Sequence, residues 1–245
     1  MSEISKLVAL DPILSAQLIK YAKSPLYRRS REVTNVSTAV GLLGLKNVTV
    51  AIMMVTMKSF KKKNNVLHDE IFYHGTVISA FSRIVAKKYT PSIADDVELI
   101  GMLHDIGASV FSVNYTEDYL QLHHASTTEG VALDALERPK FGFDRDEVAR
   151  YLGGEFRLAE STKQIISAYH QTADVYDFND EKNLYIAVLS LAHHLEKHYN
   201  NEEEQLLETI PISLEILKSH FSISEEDWHT LVEECGAFLQ ERFNM

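Results

Sequence analysis

Val97, Ile100, Leu103 and Ile106 recur at intervals of three, so they share one face of a helix. The pattern predicts a single helix over residues 95–107, DDVELIGMLHDIG. Asp95 and Asp96 suit its first turn, where the helix macrodipole favours negative charge, and Gly107 suits a left-handed C-terminal cap. Similar stripes predict helices along the rest of the chain. A short one covers residues 3–10. Asp11 is then an N-cap before Pro12, and Ile13, Leu14, Leu18 and Ile19 form the stripe of a helix ending near Ser24 and Pro25. Residues 36–44 and 45–60 read as a short and a longer helix joined through GLLGLKNV. There Gly41 and Gly44 permit close helix approach, and Met53, Met54 and Met57 supply adaptable core. A long helix runs from Val66 to Tyr89, and residues 90–94 turn into the stretch at 95–107. Further helices are predicted over residues 108–122, 127–137, 157–170 and 184–199. Asp144 caps one that follows Phe143, and Ser224 caps the last, with Asp227 at the capping-box position.

Only ten glycines and five prolines occur in 245 residues, which leaves little room for tight turns and points to an all-α chain. The length suits one large domain or two packed lobes. The boundary is expected near residues 61–66: an N-terminal helical lobe over 1–62, a second lobe over 63–200, and a C-terminal extension over 201–245 that opens on the acidic run at 202–204. Apolar runs such as VAIMMV at 50–55 fall far short of the ~20 residues that span a bilayer. Glu3 and Lys6 interrupt any signal-peptide pattern, and one cysteine, Cys235, allows no internal disulfide. A cytoplasmic protein without membrane attachment is expected. A net charge of −11 weighs against broad nucleic-acid binding, which rests on Lys and Arg neutralising phosphates. GLLGLKNV has the spacing of a helix-turn-helix, but close packing explains its glycines better. Lys58, Lys61, Lys62 and Lys63 form the one basic cluster. It reads as a solvated helix end and hinge, with a docking patch for an acidic partner as the alternative.

The chemistry-bearing pair is His104-Asp105, an imidazole beside a carboxylate on a mostly apolar segment. Burying both requires a metal ion, a counter-charge or hydrogen bonds. LIGMLHDIG resembles the signature of the HD superfamily of metal-dependent phosphohydrolases. LDPILSAQLIKYAKSPLY and VSTAVGLLGLKNV resemble the amino-terminal part of a narrower branch, the HD-related output domain (HDOD) family. The resemblance covers residues 5–200. It implies a multi-helix HD-like bundle with an N-terminal helical lobe, in a family that accompanies bacterial sensory and regulatory domains. The family carries another helix before residue 11, of which this chain holds only part.

The resemblance also supplies metal-ligand positions: His74 for the first histidine, His104 and Asp105 for the dyad, and His170 for the next histidine, followed by Gln171 instead of a second His. Two departures matter. Arg145 stands where the family often has a histidine, and a guanidinium offers a metal no lone pair. His193 stands at the position of the terminal aspartate, removing a negative charge. The implied site, His74, His104, Asp105 and His170, is therefore expected to be vestigial and without metal, with Asp105 and Arg145 forming an ion pair instead. No motif selects His68, His123, His124, His194, His198, His220 or His229. The reading is a non-catalytic signal-transduction module that binds a regulatory protein partner or a small signalling ligand, and that is open to homodimerisation. A metal-dependent phosphohydrolase acting on a nucleotide or phosphodiester is the alternative. Nucleic-acid binding through residues 36–63 is a third and weaker reading.

Overall fold

The helix-start signals act where the sequence puts them. In the computed structural model, which describes residues 2–27, 32–60, 65–170, 177–199 and 210–243, Asp11 accepts hydrogen bonds from the Ile13 and Leu14 amides. Asn35 and Asn65 accept from Thr38 and His68 in the same way. These caps satisfy amides that a helix start leaves without intrahelical partners. All secondary structure among the described residues is helical. The N-terminal part consists of α1 (Ser2–Ala9), α2 (Pro12–Ala22) and α3 (Val36–Ser59). The centre is α4 (Val66–Tyr89), a 3-10 turn (Pro91–Ile93) and α5 (Ala94–Leu103). Around it follow α6 (Ile106–Asn114), α7 (Thr116–Glu129), α8 (Leu133–Phe141), α9 (Arg145–Glu155), α10 (Glu160–Ile166) and α11 (Glu181–Tyr199). α12 (Leu214–His220) and α13 (Glu225–Phe243) close the chain.

The α4–α5 pair is the spine. A Cβ added at Gly101 would come within 2.9 Å of the Ser79 Cα, so the two helices meet backbone to backbone. α3 covers α5 on one side, α11 and α13 cover α4, α10 touches α5, and α9 packs on α6 and α10. One apolar core runs through all of these elements, from Val8 to Leu239. A smaller one, built on Leu67, Ile71, Phe111, Tyr119 and Leu133, fastens α6–α8 to the first turns of α4. α3 is long and apolar enough to cross a membrane by composition, but Val40, Leu43, Val50 and Met57 along it are buried in the core.

Several predicted elements are corrected. The stretch at 95–107 is not one helix. It breaks at His104 and Asp105, and Gly107 lies inside α6 instead of capping α5. The stripe continues across the break, since Val97, Ile100, Leu103 and Ile106 are all buried. What sets Gly107 is a neighbour: a Cβ there would overlap the Arg145 carbonyl. The helix predicted over 108–122 is divided at Tyr115, that at 127–137 becomes the end of α7 and the start of α8, and that at 157–170 ends at Ile166. Gly44 supports a kink at φ 75°, a conformation that only glycine adopts freely. A Cβ added at it or at Gly41 would meet no neighbouring element within 4 Å, so close helix approach is not what these glycines provide. Ile13, expected on the buried stripe of α2, is 70% exposed. The features read at Lys61, Lys62, Lys63, Gln171 and residues 202–204 lie outside the described residues.

Candidate functional site

The α5–α6 break turns the His-Asp pair inward. His104 donates through Nδ1 to the Gly101 carbonyl at 2.7 Å, satisfying a carbonyl in the last turn of α5 and fixing its ring. Close α4–α5 packing sets His74 opposite, with His74 Nε2 3.1 Å from His104 Nε2. Asp105 Oδ2 lies 3.8 and 3.7 Å from these two nitrogens. From the other side, α9 begins with a complete capping box between Asp144 and Glu147, which places Arg145 and Asp146 in its first turn. Asp146 accepts from His170 Nδ1 at 2.9 Å, and His170 Nε2 lies 3.1 Å from Asp105 Oδ1. The implied ligands His74, His104, Asp105 and His170 are thus brought into one cluster.

Arg145 enters the same cluster. Its Nη1 stands 4.0 Å from Asp105 Oδ1, an ion-pair distance beyond hydrogen-bond range, and its Nε lies 3.9 Å from Glu137 Oε1. Glu137 is fully buried. It accepts from the Arg145 backbone amide and from the Tyr119 hydroxyl, each at 2.8 Å. Burial pushes its carboxyl above the usual range, while Arg145 pulls the other way.

His193 joins as well. One ring nitrogen from each of His74, His104 and His193 lies within 4.8 Å of the others, and His193 Nδ1 sits 2.7 Å from the Leu189 carbonyl and 2.8 Å from the Tyr169 hydroxyl. Sequence reading missed the supporting shell: Glu196, whose Oε2 lies 2.7 Å from His74 Nδ1, together with Asp146, Tyr169 and Glu137. Glu196 carried a usable signal, because it falls one turn after His193 on the same helix face.

The hydrogen-bond partners constrain the protons. Glu196 and the Gly101 carbonyl are acceptors, so both His74 and His104 carry their proton on Nδ1. Two neutral rings would then turn lone pairs at each other across 3.1 Å. A cation between them would satisfy both rings. Imidazoles held at Nδ1 by carboxylates and carbonyls, with Nε2 turned inward, are the supporting pattern of metal-binding histidines. Two ligands bound at ~2.1 Å stand about 3–3.8 Å apart for angles of roughly 90–130°. The His74, His104 and Asp105 separations match that spacing, so these residues fit one divalent ion. The nearby guanidinium and the single carboxylate leave its charge poorly balanced.

Comparison with known proteins decides the family. The HDOD domain model matches residues 1–172. The chain belongs to the HDOD family. No curated protein matches it. Among solved structures, an HDOD domain protein of unknown function from Geobacter sulfurreducens superposes with a TM-score of 0.66 at 18% identity, over 96% of this chain and 76% of that one. A candidate signal transduction protein from Marinobacter aquaeolei VT8 gives 0.69 at 17%, over 98% of this chain and 52% of its own, so this HDOD chain spans about half of that protein. A candidate metal-dependent phosphohydrolase from Shewanella amazonensis SB2B gives 0.61 at 19%, over 96% and 84%. At these identities the likeness shows the shared all-helical fold. α11, with His193 and Glu196, lies beyond the matched HDOD residues.

Proposed function

We propose that this HDOD chain is a non-catalytic regulatory module that works by binding a protein partner or a small signalling ligand. The observation that carries the reading is the enclosure of the HD cluster. The His104 side chain is fully buried, and those of Asp105, His170, Arg145 and His74 are 5, 5, 7 and 10% exposed. A phosphoester needs a path to the metal-bound water that would attack it, and the low exposure of these side chains supports a cluster that such a substrate does not reach. Arg145 beside Asp105 adds a positive charge where a hydrolytic centre gathers dications. The HDOD match and the likeness to a candidate signal transduction protein are in keeping with a regulatory role. The test is hydrolysis of bis(p-nitrophenyl) phosphate with added Mn2+ or Fe2+. The expected rate equals that of metal alone, in wild type and in His104→Ala. A rate that rises with the protein and falls in the variant would replace this reading with the phosphohydrolase one.

A second reading is favoured by the facing imidazoles of His74 and His104. Here the cluster retains one divalent ion as a structural element, held by His74, His104 and Asp105 with His193 alongside. Such an ion would fix the α4–α5 geometry without turning over substrate. Elemental analysis of protein purified without chelator separates the two. Stoichiometric metal that disappears in His104→Ala would establish the retained ion, whereas a folded metal-free protein leaves protons as the cations of the cluster.

A further inference from the structure

Away from the HD cluster, α2, α3, α4 and α13 line a half-open cavity of about 310 Å3. Its size is at the lower end of the range for small-molecule sites, about 300–1,000 Å3. Ile13, Met54, Val55 and Phe72 supply its apolar walls. This gives a role to Ile13, whose side chain is left 70% exposed on the supposed inner stripe of α2.

Three cations surround the cavity: Lys20 from α2, Lys58 from α3 and Arg242 from α13. In a chain of net charge −11, three basic side chains with no acidic residue among the lining are out of keeping with the surface at large. Among the described residues Lys46, Lys88, Arg138, Lys140, Lys163 and Lys218 all hold carboxylates, and Lys20, Lys58 and Arg242 hold none. Lys20 and Lys58 are exposed, as the unpaired Lys23 is elsewhere, and Arg242 is the one that is partly buried. Arg242 is half-buried at the seam between the two ends of the chain, and burial pulls its guanidinium below the ordinary arginine value. Only the Tyr21 hydroxyl, also on the cavity wall, acts in the other direction. Partial burial of a guanidinium without a carboxylate is unfavourable unless an anion completes it.

We propose that this cavity binds a small amphipathic anion, with an apolar body against Met54 and Phe72 and a carboxylate or phosphate head held by Arg242, Lys58 and Lys20. The proposal deepens the regulatory reading by giving the small ligand a place and a chemical class. Its test reads binding alone, so its failure would leave that reading standing.

The experiment is calorimetric titration of the full chain with octanoate, octyl phosphate and octanol, which share one apolar body and differ in the head. At ~30 Å3 per heavy atom, an eight-carbon chain with its head matches the cavity. Both anions are expected to bind, with octanol at least about tenfold weaker, the factor that one charge-assisted hydrogen bond supplies. Tighter octanoate would identify a carboxylate site and tighter octyl phosphate a phosphate site. Arg242→Met keeps most of the stem and removes the charge. It should weaken both anions about tenfold and leave octanol unchanged, and Lys58→Met should act in the same direction. Val55→Trp should fill the cavity and abolish binding of all three. Octanol binding as tightly as the anions, insensitivity to both charge-removing variants, or no binding of either anion would overturn the proposal. The helical circular dichroism of each variant shows that it is folded before titration.

Discussion

Two buried polar clusters hang on the α4–α5 spine, and they are built on opposite principles. At the end near the N-terminal helices, Glu98 is fully buried, and every contact to it comes from a donor. The hydroxyls of Tyr21 and Tyr27 donate to its two oxygens, Arg83 lies 2.8 Å away, and Arg83 is shared with Asp95. At the other end, His74 turns an acceptor nitrogen toward His104, and His170 approaches Asp105 through the ring nitrogen left over after Asp146 is satisfied. In the Glu98 cluster both carboxylate oxygens already have donors from the protein, and Arg83 Nε is the buried atom there without a hydrogen-bond partner among the described residues. The HD cluster turns acceptors toward one another, as a site that holds a cation does. The comparison separates a joint from a site: a buried network whose acceptors already meet donors holds helices together, whereas one that turns acceptors toward each other is arranged around something else.

The largest effect should come from breaking the joint. Burial pushes the Glu98 carboxyl up, and Arg83 and the tyrosine donors pull it back. Removing the carboxylate leaves the Arg83 guanidinium, which is 6% exposed, with Asp95 as its remaining carboxylate, and takes the acceptor from two tyrosine hydroxyls. Glu98→Ala is expected to lower unfolding free energy by about 3–5 kcal/mol, the usual loss when one partner of a buried ion pair is removed. Glu98→Gln, which keeps the shape and one acceptor oxygen, should lose less. Denaturant unfolding checks both, and equal losses would show that volume matters there more than charge.

The second prediction disturbs the site and spares the joint. Gly107 is where α6 and α9 touch, so Gly107→Ala forces Arg145 and its helix away from Asp105. Overpacking of this kind is expected to cost about 1–3 kcal/mol, less than the loss at Glu98. Arg145 and Asp105 should separate beyond 4.0 Å, and a crystal structure of the variant would show it. If the metal-retaining reading holds, metal content should rise in this variant as the guanidinium withdraws. Unchanged content would mean that Arg145 does not govern the cation.

The same contrast explains what was legible in the sequence. Helix caps and apolar stripes are local, so α1 to α4, α9, α11 and α13 could be placed from Asp11, Asp144 and Ser224 or from their stripes, to within a few residues, whereas the Asn35 and Asn65 caps emerged only in the structure. The HD residues were legible because a motif names them. The α5–α6 break was not, because Ile106 keeps the helical phase and the cause, the Arg145 backbone against Gly107, lies thirty-eight residues away in sequence. Glu98, Arg83, Glu137 and Glu196 were missed for a related reason. Charged residues within apolar stretches such as FSRIVA around Arg83 are a signal that something buried must meet them, but the partner comes from another helix.

The smallest predicted effect sharpens the comparison by supplying an exposed counterpart on the same helix. Near the end of α4, Lys88 meets Asp227 at 2.7 Å, with both side chains about one-third exposed. Asp227 also bonds the Ser224 hydroxyl at 2.7 Å, at the start of α13. The Lys88 ammonium first, and the Ser224 hydrogen bonds after it, pull the Asp227 carboxyl down to about 2. A depressed carboxyl contributes stability above its unfolded value, about 3.9, and loses it as pH falls through the folded one. Asp227→Asn should therefore unfold at a slightly lower denaturant concentration than wild type near pH 6. The two midpoints should converge as pH falls toward 2, and salt should shrink the difference at pH 6. A difference as large as that of Glu98→Ala, or one that grows as pH falls, would mean that burial is not what separates the joint and the site from an ordinary surface pair.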